Sequence, residues 1–361
     1  MRITTLYVYP IKALRGISLR QAHVGPRGVQ YDRHFILYEV RSDPESPSSN
    51  TTPVLKKVQL DSHPKCALFE QQIDHATKSV NVHFRGTSPD GSSDAQDAAD
   101  LTVPLEPDVS SLTKTAADLH GSVAQAYAMG ETYDSWFSAR FGVQIKLVYI
   151  GDGGRAVLGK TLPPSTSITQ QQQQQAQSNG GGWLSSITSY VTGTTTQTEK
   201  KPAAAGPWLT FTDVAPLLVA SESSLEDVSK RLPEENRPMP MYKFRPNVVV
   251  DGEGEQAWAE DYWAELTVGE EKHKLAMTGN CVRCISLNVD YETGKPAEGE
   301  MGNVLKKLMK DRRVDTGSKW SPVFGRYGFP QDEEGFVVSV GDEVEVTKRN
   351  SNRTVWDWPG L

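Results

Sequence analysis

Cysteine is scarce in this chain: three residues in 361, with Cys66 far from Cys281 and Cys284. An odd number so distributed gives no disulfide framework and points to a reducing compartment. Long apolar runs are missing as well. No segment approaches about 18 consecutive apolar residues, so no membrane span is expected. The first ten residues alternate like a strand, without the apolar core of a signal peptide or anchor. Basic excess is absent too. A formal net charge of −7 argues against non-specific nucleic-acid binding, which needs a positive footprint.

The length allows about two domains with a sizeable core. Strand-like runs cover residues 4–9, 17–24, 33–40, 67–71 and 79–84, broken by Pro10, Gly16 and the Gly25-Pro26-Arg27-Gly28 turn. Residues 131–141 place Trp136, Phe137 and Phe141 on one helix face, and 144–150 read as a buried strand. The stretch 152–206, with six glutamines at 170–175, holds too few apolar residues to offset its ordering entropy. It is expected to be a disordered insertion. Order returns near Trp208, with a helix capped by Ser221 and Ser224 and strands at 246–250, 264–268, 272–277, 285–289 and 335–346. The expected class is mainly β with a few helices (α+β). Its divisions are a first domain at 1–151, the insertion at 152–206, a second domain at 207–350 and a tail at 351–361.

Three patterns carry chemistry. Gly154 to Thr161 matches the phosphate-loop spacing, but Pro163 and Pro164 follow where a helix must open, so a coincidence is expected. Cys281-Val282-Arg283-Cys284 offers thiolates with an arginine beside them, which favours the ionised form. A zinc site would need two further ligands, and His273 is the only nearby candidate. A thioredoxin-type dithiol would need a helix after the second cysteine, where 285–289 reads as β. A bland core position and a single thiolate on a redox metal carried by a cofactor stay open. Lys12, Arg33 and Arg245 lie at strand ends in apolar surroundings, and Arg binds phosphate through a planar fork. Pro246 is expected to hold its neighbours extended, with Arg245 and Asn247 on one side of a strand.

Taken in order, the segments 6–12, 32–35, 244–247, 258–263, 281–294 and 321–325 resemble the MOSC-domain proteins, in particular the amidoxime-reducing components of mitochondria and their bacterial relatives. The resemblance implies an N-terminal MOSC β-barrel domain and a C-terminal MOSC β-barrel domain with the molybdenum cofactor between them. It implies Cys284 as the thiolate on molybdenum and so the catalytic ligand, with Lys12, Arg33, Arg245 and Asn247 on the pterin and its phosphate. Asp213 is implied as an acid near the cofactor. Ala13, Val214 and Ala215 stand where the family often has hydroxyl residues. The implied reaction is reduction of N-oxygenated small molecules such as amidoximes and hydroxylamines. Electrons would come from a cytochrome b5-type donor and an NADH-dependent reductase, since the chain shows no flavin, haem or iron–sulfur motif. The alternatives are a non-catalytic carrier of the cofactor and a sulfur-transfer protein. A cytoplasmic location, or one peripheral to the outer mitochondrial membrane, is expected. A weak membrane contact through 182–193 is expected from Trp183, Leu184, Ile187, Tyr190 and Val191, which share one face if the segment is helical.

Overall fold

The structure, a computed structural model, describes residues 1–41, 54–86, 99–159, 163 and 208–361. The polyglutamine run and the segment 182–193 lie outside the described residues.

One eight-stranded sheet dominates. Its order is Ile17–Leu19, Ile3–Val8, Val248–Val250, Leu217–Ser221, Val323–Pro330, His273–Val282, Trp263–Val268 and Val344–Arg349. The pair Leu217–Ser221 and Val248–Val250 is parallel and fully buried, which suits their sequences, apolar throughout except for the terminal Ser221. A five-stranded sheet runs Thr113–Leu119, Ser122–Ala128, Ile145–Tyr149, Phe35–Arg41 and Val54–Lys57. A smaller sheet of Phe69–Asp74, Ser79–Phe84 and Leu101–Pro104 packs with it around Phe69, Phe137 and Phe141. The helix Glu131–Phe141 contributes the two latter rings and ends at Gly142, whose φ of 78° needs no side-chain accommodation. Its aromatic face is the one expected: Phe69 stacks on Phe141 with ring centroids 4.9 Å apart.

Residues on either side of position 151 share the same sheets. Ile3–Val8 pairs with Val248–Val250, and Gln21–Gly25 pairs with Phe336–Ser339. The first thirty residues therefore thread into the C-terminal half and carry Tyr9 to Ala13 to the junction. The tail is equally integrated. Trp358 is 5% exposed, and Thr354 Oγ1 accepts from the fully buried Arg326 at 3.1 Å.

Three local expectations are corrected. Residues 285–289 do not form a strand: Ile285–Asn288 is a 3-10 turn, and only Val289–Asp290 pairs as β. The turn forms because Leu305 N donates to Asn288 Oδ1 and the Cys284 carbonyl accepts from Leu287 N, holding the run in a tight bend. Arg245 is not extended. It ends the 3-10 turn Met241–Phe244 at φ 56°, so Arg245 and Asn247 do not share a strand face. Ser221 takes the N-cap position of the helix Glu222–Lys230 as expected, but neither serine supplies a capping hydrogen bond: the Ser221 hydroxyl is unpaired, and Ser224 Oγ donates to the buried Glu260 carboxylate at 2.7 Å.

Gly154 to Thr161 is no phosphate cradle where it is described. Arg155–Ala156 is a strand paired with Trp208–Leu209. The Arg155 guanidinium, 0% exposed, donates to the carbonyls of Leu119, Ser122, Thr210, Thr212 and Asp213. It fastens a hairpin of the five-stranded sheet to the segment that bears Asp213.

Candidate functional site

Backbone geometry gathers the six sequence-chosen residues. Lys12 follows Pro10 on a bend whose amide donates to Phe35 O (2.8 Å). Arg33 N donates to Tyr9 O (2.8 Å). Ala13, Arg33 and Arg245 all have positive φ (73°, 52° and 56°). Side-chain-bearing residues rarely hold that conformation, and such strain concentrates at functional sites. These residues line one cleft, partly open to solvent, together with Asp213, Asn247, Arg283, Cys281 and Cys284. Lys12, Arg33, Arg245, Asp213, Asn247 and Cys284 are all brought together.

Tyr9 is the platform. It is fully buried and donates through its hydroxyl to Pro246 O (3.0 Å). The guanidinium carbons of Arg33 and Arg245 lie 4.5 and 4.4 Å from its ring centroid. Arg33 pairs with the buried Asp32 and donates to Arg245 O (3.2 Å) and Asn247 Oδ1 (3.4 Å). Asn247 is well tied inside the protein: Oδ1 also accepts from Leu218 N (3.1 Å), and one N–H of Nδ2 donates to Tyr7 O (3.3 Å). It reaches the cleft as the brace of Arg33. Arg245 Nη1 donates to Leu14 O (2.8 Å), whereas Nη2 is buried with no protein partner. A buried guanidinium nitrogen left unpaired is costly, so this atom waits for an acceptor.

Lys12 Nζ donates to Asp213 Oδ1 at 2.6 Å. Burial lowers the Lys12 ammonium to about 8, even though Asp213 opposes the shift. Burial alone would raise Asp213, but Lys12 and His120 outweigh it and hold the carboxyl well below its usual range. The Asp213 side chain is still 44% exposed toward the cleft, so the pair adds little to stability.

The two cysteines are unlike each other. Cys281 is buried and burial pushes its thiol up; the thiol donates to Tyr327 Oη (3.2 Å) and its sulfur accepts from Arg283 Nη1 (2.9 Å). Cys284 is exposed at the head of the 3-10 turn, its Sγ 3.1 Å from Ser286 Oγ. The arginine between them is thus spent on Cys281. His273 is no partner for either thiol. It stands at the other end of strand His273–Val282, stacked on Phe336 at 4.2 Å, and eight residues of strand at about 3.3 Å each set it roughly 26 Å from Cys281. Among the described residues no group of three His, Cys, Asp or Glu side chains is placed to hold a metal.

Sequence reading missed Thr212, Tyr327 and His120, and took Arg283 only as a neighbour of the thiolates. Arg283 lines the cleft with its Nε buried and unpaired, and Thr212 lines it with an unpaired Oγ1. Tyr327 and His120 arrive from distant strands and turns, and nothing local marks them. The lining carries four cations (Lys12, Arg33, Arg245, Arg283) against two acids (Asp61, Asp213), in a chain of net charge −7. The cleft is built for an anion beside an accessible thiol.

Residues 1–144 match the MOSC N-terminal beta barrel domain and residues 207–345 the MOSC domain. The chain is 24% identical over 348 residues to mitochondrial amidoxime-reducing component 1 of Mus musculus, covering 95% of this chain and 81% of that one. The human protein of the same name is 35% identical over 140 residues, 38% of each chain. Mitochondrial amidoxime reducing component 2 of Rattus norvegicus is 36% identical over 135 residues, 37% of each.

Proposed function

Because this chain belongs to the MOSC-domain proteins, we propose that its cleft holds a molybdenum cofactor and reduces N-oxygenated small molecules. The observation that carries this reading is the convergence of one exposed thiol with four cations and several unpaired buried donors. The donor set fits the group. Cys284 would ligate the metal, since a soft thiolate suits such a centre. Arg245 Nη2, Arg283 Nε and Thr212 Oγ1 would give their free hydrogen-bonding capacity to the anionic pterin. Lys12 and Arg33 would add charge, and Asn247 would keep Arg33 in place. When bound, the cofactor supplies the two-electron chemistry.

The chain's own part is to bind, orient and deliver protons. Electrons would come from a separate donor, in this reading a cytochrome b5-type protein served by an NADH-dependent reductase. A mitochondrial setting follows the names of the relatives. No helix among the described residues is long and apolar enough to cross a membrane, and the weak contact through 182–193 is part of the same proposal. Reduction of an amidoxime by the loaded protein with that donor pair, measured beside molybdenum content, tests the function. Molybdenum without any reduction would favour a carrier or sulfur-transfer role instead.

Two expected results follow from the lining. Arg245→Ala should lower cofactor occupancy roughly tenfold or more, the worth of a charge-assisted hydrogen bond of about 1.5–3 kcal/mol. Equal losses of thermal stability in the empty and loaded proteins, with occupancy kept, would make Arg245 merely structural. Lys12 loses its charge as pH rises through about 8, so anion affinity should fall there. Calorimetry with sulfate, whose charge is constant in this range, should show about a tenfold loss that Lys12→Met removes. A flat profile would contradict the role of Lys12.

A further inference from the structure

Behind the cleft's acid stands a second titratable group. His120 Nε2 lies 3.2 Å from Asp213 Oδ1, and its Nδ1 lies 2.9 Å from Lys57 Nζ. An ammonium can only donate, so Nδ1 accepts, and the ring carries its proton on Nε2 and gives it to Asp213. All donors in this chain point one way, from the half-exposed Lys57 through a side chain 8% exposed to the wall of the cleft.

The fold goes to some length to put His120 there. It occupies, with Gly121, the two-residue turn joining Thr113–Leu119 to Ser122–Ala128, where both φ are positive (59° and 77°). Such turns favour Asn-Gly or Gly-Gly. The turn is pinned from behind, for Trp358 Nε1 in the tail donates to His120 O at 2.9 Å. The groups that face this chain are Asp213, Lys12 and Asp61 from the cleft, with Arg155 and Asp118 beside it. Burial lowers His120 and keeps the ring neutral, the state a relay needs.

We propose that Lys57, His120 and Asp213 form the route by which protons enter the cleft. The proposal rests on the functional reading above. Reduction of a hydroxylamine breaks the N–O bond and takes up two electrons from the external one-electron donor. One proton joins nitrogen, and another joins the departing hydroxyl, which leaves as water. The guanidinium groups of the lining cannot supply protons at neutral pH. Asp213, whose carboxyl is held well below its usual range, keeps no proton but passes each one at once to the substrate or to a Lys12 that has just given up its own. His120 hands its Nε2 proton to Asp213 while Nδ1 takes one from Lys57. Lys57 is recharged by water and the ring returns to its first tautomer by exchange with solvent, so the route runs twice in each turnover to deliver both protons.

The test uses the full chain and three variants, His120→Gln, His120→Gly and Lys57→Met. Nitrogen-15 spectra of histidine-labelled protein, assigned through His120→Gln, should show a neutral His120 ring protonated on Nε2. An imidazolium, or a ring protonated only on Nδ1, would overturn the route. In the loaded protein His120→Gln should lower kcat about a hundredfold with KM and molybdenum content unchanged. Added imidazole should restore part of the rate to His120→Gly, and Lys57→Met should slow turnover in the same sense. If wild type reduces N-hydroxylated compounds and His120→Gln stays within about twofold of it, the route falls alone. If His120→Gln loses molybdenum, His120 is structural and the route falls. If loaded wild type reduces nothing, the functional reading falls and takes the route with it.

Discussion

Cys284→Ser should leave a folded protein that has lost its molybdenum and with it all reductase activity, while Cys281→Ser keeps most of both. The difference lies in what each sulfur touches. Cys284 is exposed on the cleft, with one hydroxyl, that of Ser286, as its close polar neighbour. Its replacement removes a soft ligand and disturbs no packing. A hydroxyl is a far poorer ligand for a centre that selects thiolate. Cys281 is buried and occupied by Tyr327 and Arg283. A serine there can repeat both hydrogen bonds, so the cost is a small loss of packing, about 1 kcal/mol. Metal analysis and thermal unfolding of both variants decide the matter. Loss of metal from Cys281→Ser with retention in Cys284→Ser would reverse the assignment.

Arg155→Met should be the most damaging single change outside the cleft. Methionine fills similar space but donates nothing, and five carbonyl groups of Leu119, Ser122, Thr210, Thr212 and Asp213 lose their shared donor. Acceptors stranded where water cannot reach them are expensive. Breaking a buried charged network commonly costs about 3–5 kcal/mol, and that is the expected loss in chemical denaturation. Occupancy of the cleft should fall too, because Thr212 and Asp213 are held by the same guanidinium. Burial lowers Arg155 itself to about 10, so no protonation change intervenes at neutral pH. A loss below about 1 kcal/mol would show that backbone pairing alone holds the segment.

Arg155 also shows where sequence reading stops. Its glycine-flanked setting looks like a phosphate loop, and only the pairing of Arg155–Ala156 with Trp208–Leu209, far along the chain, reveals a strand. Local periodicity did expose most elements. The helix Glu131–Phe141 and the strand Ser79–Phe84 fall where alternation and aromatic spacing place them. The 3-10 turn at Ile285–Asn288 escaped because its apolar alternation mimics a strand, while a side chain from Asn288 reaching Leu305 decides the outcome. Among site residues, charges at strand ends and the cysteine pair were visible because they are odd in their local setting. Thr212, Tyr327 and His120 are ordinary where they stand, and tertiary pairing alone makes them part of the site. Arg245 was found for its charge, yet its left-handed backbone was hidden, since a residue before proline normally avoids helical regions.

Occupancy of the cleft between the two halves of the chain by a molybdenum cofactor is what we propose. It is tested most directly by the content of the wild-type protein, made in cells that synthesise the cofactor. Metal analysis and fluorescence of the released, oxidised pterin should find both, equimolar with each other and approaching the concentration of the chain. Protein that folds, is produced beside a molybdenum enzyme that loads normally, and carries neither molybdenum nor pterin would contradict the account.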